Sequence, residues 1–186
     1  MRVIAGDFKG RRLVAPKGPG VRPTPDRVKE ALFSMVEPCL ADAVCLDLFA
    51  GTGSLGIEAL SRGAARVYFC DPAPASLAAL RQNLDICRVD ASRAVVLAAE
   101  WHKVHTYLSE KCNLVFIDAP YKMCEHYSQM LETLAERGVM ADGALVAIER
   151  DAGKGGYALP EGFIKVRERR YGSVGIDLVA AAGDEE

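Results

Sequence analysis

The stretch VCLDLFAGTGSLGIEAL, residues 44–60, passes from an apolar run through a glycine loop into a pattern of helical spacing. Gly51, Gly53 and Gly56 follow the order G-x-G-x-x-G, which makes a tight turn where a ligand can approach the backbone closely. Strand, glycine loop and helix in that order open an α/β unit whose ligand lies at the carboxyl end of the sheet. Asp47 stands four residues ahead of Gly51, where the strand ends. Its charge bears on what the loop can hold. At ~4 Å and an effective dielectric of ~20, two unit charges interact by about 4 kcal/mol before desolvation. A pyrophosphate is disfavoured there, and a cation is favoured. Satisfaction of Asp47 by backbone amides, as a cap or loop carboxylate, is the plainer alternative.

Outward from this stretch the chain alternates. Strand-like RVYFCD (66–71), RAVVLAA (93–99), NLVFIDAP (113–120) and GALVAIER (143–150) are separated by helical SLGIEALSRG (54–63), PASLAALRQNLDIC (74–87), HKVHTYLSE (102–110) and HYSQMLETLAERG (126–138). The strands are continuous apolar runs, as expected when helices cover both sheet faces. The pattern predicts a doubly wound α/β sheet. FIKVRERRYG (163–172) and SVGIDLVAA (173–181) predict an antiparallel pair at one edge, and AGDEE (182–186) a frayed end. Toward the amino end, DRVKEALFSMVEPCL (26–40) has helical periodicity, with Thr24 or Asp26 as N-cap and Pro25 in the first turn. PKGPGVRPTP (16–25) is too rich in proline and glycine for regular structure. RVIAGDFKGRRLVA (2–15) reads as two short strands about a turn at residues 7–10. The organisation expected is a basic hairpin extension with its loop over residues 1–22 and a main domain over 23–183.

With 186 residues, half of them hydrophobic and a quarter charged, the composition is that of one globular domain. No apolar run reaches the ~18 residues of a membrane span, and the first residues lack a signal-peptide core, so a cytoplasmic protein with no membrane contact is expected. The six cysteines, at 39, 45, 70, 87, 112 and 124, have neither metal-ligand spacing nor an oxidising context, so no metal site is expected. The net charge of −2 conceals an asymmetry: residues 1–30 hold eight Lys or Arg against three acids, a balance of +5 that leaves −7 on the rest. A basic end on an acidic body marks either a polyanion-binding face or a solvated one.

S-adenosylmethionine meets the demands of the loop. It carries no phosphate, and its α-ammonium and sulfonium suit Asp47. Asp71, twenty residues after Gly51, suits its ribose hydroxyls, and Pro72 its adenine. Asp71 suits a nicotinamide dinucleotide equally, so an NAD(P) oxidoreductase stays open at this point. DLFAGTGSLGIEALSRGA (47–64) resembles the cofactor motif of class I methyltransferases, and the resemblance implies S-adenosylmethionine.

FIDAPY, residues 116–121, resembles the (N/D)-P-P-(Y/F) motif of enzymes that methylate exocyclic amines of bases. Such an amine has its lone pair delocalised into the ring. A carboxylate at Asp118 and the carbonyl of Ala119 can accept its two N–H bonds and favour a tetrahedral nitrogen. Pro120 shapes the turn, and Tyr121 can stack on an extruded base. Ala119 departs from the motif's usual proline and removes a stiffening element.

RPTPDRVKEALFSMV (22–36), with IAGDFKGRRL before it and RYG (170–172) near the end, completes a set that resembles the RsmD family over residues 2 to about 180. That resemblance implies a Rossmann-like class I methyltransferase sheet of seven mostly parallel strands with an antiparallel edge, plus a small amino-terminal β-hairpin. It implies methyl transfer to guanine N2 in 16S rRNA of the 30S subunit or an assembly intermediate. Asp47, Gly51 and Gly53, with Phe49 in the same loop, fall to the methionine end, and Asp71 with Pro72 to the nucleoside. Glu100, or Ala99 in a strict alignment, falls to the adenine. Asp118, Ala119, Pro120 and Tyr121 fall to the target amine. Lys9, Arg11 and Arg12 on the hairpin fall to RNA phosphates, and Arg22 and Arg27, with Thr24, to a loop near cofactor or RNA. Trp101, His102, His105 and His126 read as surface or packing residues. A monomer suffices. An adenine-N6 methyltransferase or an RNA-binding assembly factor without turnover are the other readings of the same residues.

Overall fold

A computed structural model describes residues 1–16, 24–153 and 156–181, with the side chain of Tyr121 excepted. The expectations for Arg22, for most of the proline-rich loop and for residues 182–186 lie outside the described residues. Seven strands form one sheet in the order β3-β2-β1-β4-β5-β7-β6. They are β1 Val44–Asp47, β2 Arg66–Cys70, β3 Ala94–Leu97, β4 Cys112–Ile117, β5 Met140–Asp151, β6 Phe163–Tyr171 and β7 Val174–Ala181. The first five pair in parallel, and β7 runs antiparallel to both β5 and β6. The chain builds outward from β1 to β3 and then returns to β4 on the other flank of β1. That reversal leaves a crevice beyond the carboxyl ends of β1 and β4, where ligands of such sheets bind. β4 pairs with β1 so that Phe116 faces Asp47, which sets Asp118 beside the glycine loop.

Helices α1 Asp26–Val36, α2 Ser54–Ser61, α3 Pro74–Cys87 and α4 Tyr127–Glu136 cover the two faces. Val28, Leu32 and Phe33 of α1 join Leu55, Ile57 and Leu60 of α2 and Leu77 and Leu80 of α3 in one core cluster. On the other face, Met130, Leu131 and Leu134 of α4 meet Val115, Ile117, Val146 and Ile148. Burial on both faces explains why the strands lack polar alternation. Cys45, Cys70, Cys87 and Cys112 are buried among these apolar residues as thiols. Among the described residues no helix is long and apolar enough to cross a membrane.

Three local expectations are corrected. The helical HKVHTYLSE contracts to a 3-10 turn over Trp101–Thr106, and a second 3-10 turn, Tyr121–His126, precedes α4. Neither Thr24 nor Asp26 caps α1: Pro25 holds the N-cap position with no side-chain bond. Thr24 points into the crevice instead, and Asp26 accepts Arg2 Nε at 2.8 Å. The amino-terminal hairpin has a single antiparallel bridge, Arg2 to Arg12, in place of two strands.

Backbone bonds join Val3 to Gly10 and Arg11 and Met1 to Leu13, and buried polar groups add to this short ladder. Glu58 on α2 accepts the amides of Ile4 and Ala5 at 2.8 and 3.0 Å. It also pairs with Lys29 of α1 at 3.0 Å and Arg62 at 2.9 Å. Lys29 Nζ donates to the Arg2 carbonyl at 2.6 Å. Asn83 of α3 bonds both the amide and the carbonyl of Val14. The hairpin is thus fastened to three helices through side chains that the interior keeps dry, where a lost partner is costly.

Candidate active site

The crevice is a cavity of about 640 Å³ at the carboxyl ends of β1, β2, β4 and β5. The loop after β1 shapes its floor. Gly53 has φ +77°, and a side chain there would meet Leu80 Cδ1 at 2.3 Å. At Gly56 a Cβ would meet Phe69 Cε1 at 2.3 Å, so the glycine is what lets α2 lie against β2. Asp47, 1 % exposed, accepts the Gly56 amide at 2.9 Å through Oδ2 and also lines the cavity. The two readings of this acid are therefore compatible: it steadies the first turn of α2 and faces the crevice. Burial pushes its carboxyl up to about 7, opposed by the Gly56 amide and reinforced by Asp118 and Asp71.

Asp71 follows β2 and reaches across to the loop. Its Oδ2 accepts the Gly51 amide and its Oδ1 the Ala73 amide, both at 2.8 Å. Each oxygen keeps a lone pair for a further donor. Pro72 and Phe49 also line the cavity. Glu100 lines the cavity, while Ala99 is buried and offers its carbonyl to Cys70 Sγ at 3.2 Å. Trp101, read from sequence as packing, lines the cavity beside Glu100 and supplies an aromatic wall.

Asp118 and Ala119 stand at the opposite wall, with Pro120 next to them. Thr24 Oγ1 lies 3.3 Å from Asp118 Oδ2 and 3.2 Å from Glu149 Oε2. One hydroxyl proton can serve only one of these acceptors at a time. Burial pushes Asp118 up to about 6, opposed by the Thr24 hydroxyl. Glu149 ends the buried part of β5, and no motif in the sequence marked it. Its apolar lead-in, ALVAI, identifies a strand but not where the strand's last acid points. Asp47, Asp71, Glu100, Asp118 and Glu149 thus line one cavity, and Lys122 is the only cation among the described lining residues. The space favours a cationic ligand and a hydrogen-bond donor at the Asp118 wall.

The basic residues fall elsewhere. Lys9 and Arg12 are exposed on the hairpin. The hairpin turn sits on the last residue of α2, since the Asp7 amide meets the Ser61 carbonyl at 2.8 Å. That is the end of α2 away from the glycine loop, roughly 12 Å along the helix axis. Arg11 stacks over Phe8 at 5.6 Å and donates to the Ile86 carbonyl at 2.6 Å, so it also holds the hairpin to α3. Arg27 is exposed on α1 and lines a separate cavity. Of Tyr121 only the backbone is described, at the start of its 3-10 turn.

The profile of the family described as "Conserved hypothetical protein 95" matches residues 1–180. Ribosomal RNA small subunit methyltransferase D of Escherichia coli strain K12 is 37% identical over 183 residues, covering 96% of this chain and 88% of that protein. The protein of the same name from Haemophilus influenzae is 33% identical over 186 residues, covering 96% and 92%. Among solved structures, the Escherichia coli protein yhhF superposes with a TM-score of 0.83 at 33% identity over 97% of both chains.

Proposed function

The chain belongs to the Conserved hypothetical protein 95 family, the RsmD family of methyltransferases, and from that membership and the crevice geometry we propose methyl transfer from S-adenosylmethionine to guanine N2 in 16S rRNA. The observation that carries this reading is the pairing of an acid-lined cofactor crevice with a second acceptor wall at Asp118 and Ala119. The residues present fit the cofactor. Asp47 meets its cationic methionine end, and Asp71 offers two oxygens to ribose hydroxyls. Glu100, Trp101 and Pro72 frame the adenine. A dinucleotide would bring two phosphates against the same carboxylates, which favours the methyl donor over NAD(P).

When bound, S-adenosylmethionine supplies an electrophilic methyl group on a positively charged sulfur. The protein's part is to place the nitrogen and draw its lone pair out of the ring. Asp118 accepts one N–H of the guanine amine, and the Ala119 carbonyl accepts the other. Thr24 orients Asp118. Asp118 would take the amine proton as the nitrogen is methylated and S-adenosylhomocysteine leaves, and its raised affinity for a proton suits the role. In-line positioning contributes much of the acceleration. Stacking of the base on Tyr121 belongs to the same proposal, as do contacts of Lys9, Arg12, Arg22 and Arg27 with RNA phosphates. The substrate is the 30S subunit or an assembly intermediate, met in the cytoplasm by a monomer.

Calorimetry with S-adenosylhomocysteine and with NAD, followed by label transfer from tritiated S-adenosylmethionine to undermethylated 30S subunits, tests this. Binding of the first ligand alone, with label on the rRNA, is the expected result. Tight NAD binding with no label would overturn it.

A further inference from the structure

The RYG stretch near the carboxyl end has no part in the crevice, yet it is placed close by. A second cavity, of about 350 Å³, is lined by Pro25, Arg27, Val28, Arg170, Tyr171 and Gly172. Pro25 lines both cavities, so the two share a wall at the entry to α1. β6 runs parallel to β5, which brings its carboxyl end, Arg170 and Tyr171, to the same end of the sheet as Asp118. The charge inverts between the neighbours. Among the described residues five acids and one lysine line the crevice, whereas no acid lines the second cavity and two arginines do.

Those guanidiniums are open to a ligand. Among the described residues nothing pairs with the side chain of Arg27. Arg170 Nε donates to the Gly172 carbonyl at 3.0 Å, which leaves its other donors outward. Two further arginines extend the feature along β6. The register shifts between Lys165 and Arg167, where Val166 is an extra residue. Without that bulge Arg167 would share the face of Lys165; with it Arg167 and Arg169 lie opposite Leu178 and Ile176. Leu178 and Ile176 pack in the core cluster that contains α1, so both arginines face the Arg27 side. Among the described residues neither pairs with a carboxylate: Arg169 donates to the Glu168 carbonyl, and Arg167 has no side-chain partner.

We infer that the second cavity is a subsite for the nucleotide adjoining the target guanine, with its phosphate between Arg27 and Arg170 and its base or sugar against Tyr171. The inference rests on the guanine-methyltransferase reading. A base is neutral and can enter an acid-lined crevice, but the phosphate beside it cannot follow. Cations just outside that crevice resolve the conflict and hold the strand in register. Arg169 and Arg167 continue the track for phosphates farther along.

The test combines Arg27→Ala with Arg170→Ala in the full chain and measures methyl transfer to 30S subunits and filter binding of 16S rRNA across a salt series. KM for the subunit rises on the order of tenfold or more, kcat stays within about twofold, and S-adenosylhomocysteine affinity is unchanged. The salt slope of RNA binding falls by roughly one for each cation removed. Arg170→Lys recovers part of the loss, because a point charge still meets a phosphate. Arg137→Ala, an exposed cation after α4 at the opposite end of the sheet, changes none of these. An unchanged KM and salt slope in the double variant, with wild-type transfer intact, overturns the subsite and leaves the guanine reading standing. A reduced salt slope beside a wild-type chain that methylates no RNA sinks the guanine reading and, with it, the subsite as the neighbour of a target guanine. An equal effect from Arg137→Ala reduces the feature to general charge and overturns it.

Discussion

Asp47 serves two ends that pull its proton in opposite directions. Burial holds it up to about 7, whereas a cationic ligand requires the carboxylate. Its raised value in the folded state means that folding is eased while the group is protonated. That ease is lost as pH rises from the ordinary carboxylate range through about 7. Asp47→Asn keeps an acceptor for the Gly56 amide and removes the charge, so at pH 8 it raises the melting midpoint while weakening the cofactor. Each kcal/mol relieved is worth roughly 2–4 °C in a chain of this size. The binding sign is opposite. S-adenosylhomocysteine affinity in the wild type falls about tenfold for each pH unit below about 7, and the asparagine variant lacks that limb. Calorimetry across pH 5.5–8.5 measures both. Asp118 gives a separate signature. The wild-type kcat climbs with pH to about 6 and then levels, as the acceptor ionises. Asp118→Ala abolishes transfer and leaves cofactor affinity nearly unchanged, and loss of both would make Asp118 a structural residue.

At the scale of elements, the hairpin depends on α2 more than on its own ladder. Glu58 carries two backbone amides of the hairpin and two cations while fully buried. Glu58→Ala strands the Lys29 ammonium in the interior, and urea unfolding is expected to register a loss of about 3–5 kcal/mol. What could be read in advance follows the same division. The glycine loop was legible because its strand, turn and helix are contiguous, and the Asp118–Pro120 turn because its chemistry fits in three residues. The Thr24 hydroxyl joins acids 94 and 125 residues away, a pairing that no local pattern encodes. Thr24 looked like a cap because caps are the commonest use of a threonine before a helix. Pro25 took that position once Thr24 was drawn to the crevice. Likewise the bulge at Val166 is a matter of partner-strand register, and the spacing of arginines along β6 does not reveal it.

The whole molecule divides its charge by location. Acids gather in the crevice proposed for the methyl donor and the target amine, and exposed cations lie on the hairpin, on α1 and along β6. The slight net negative charge therefore says little about affinity for RNA, since a polyanion meets the local field of the face it docks on. The seven-stranded sheet with its antiparallel edge was accessible from alternation together with the family resemblance, and the order of its strands and the two cavities sharing Pro25 were not. The most direct test of the account is chromatography with mass spectrometry of nucleosides digested from undermethylated 30S subunits after reaction with the enzyme and S-adenosylmethionine. The account predicts one new product, N2-methylguanosine, confined to a single position of 16S rRNA and absent with Asp118→Ala. N6-methyladenosine in its place, or no methylated nucleoside while the cofactor remains bound, would contradict it.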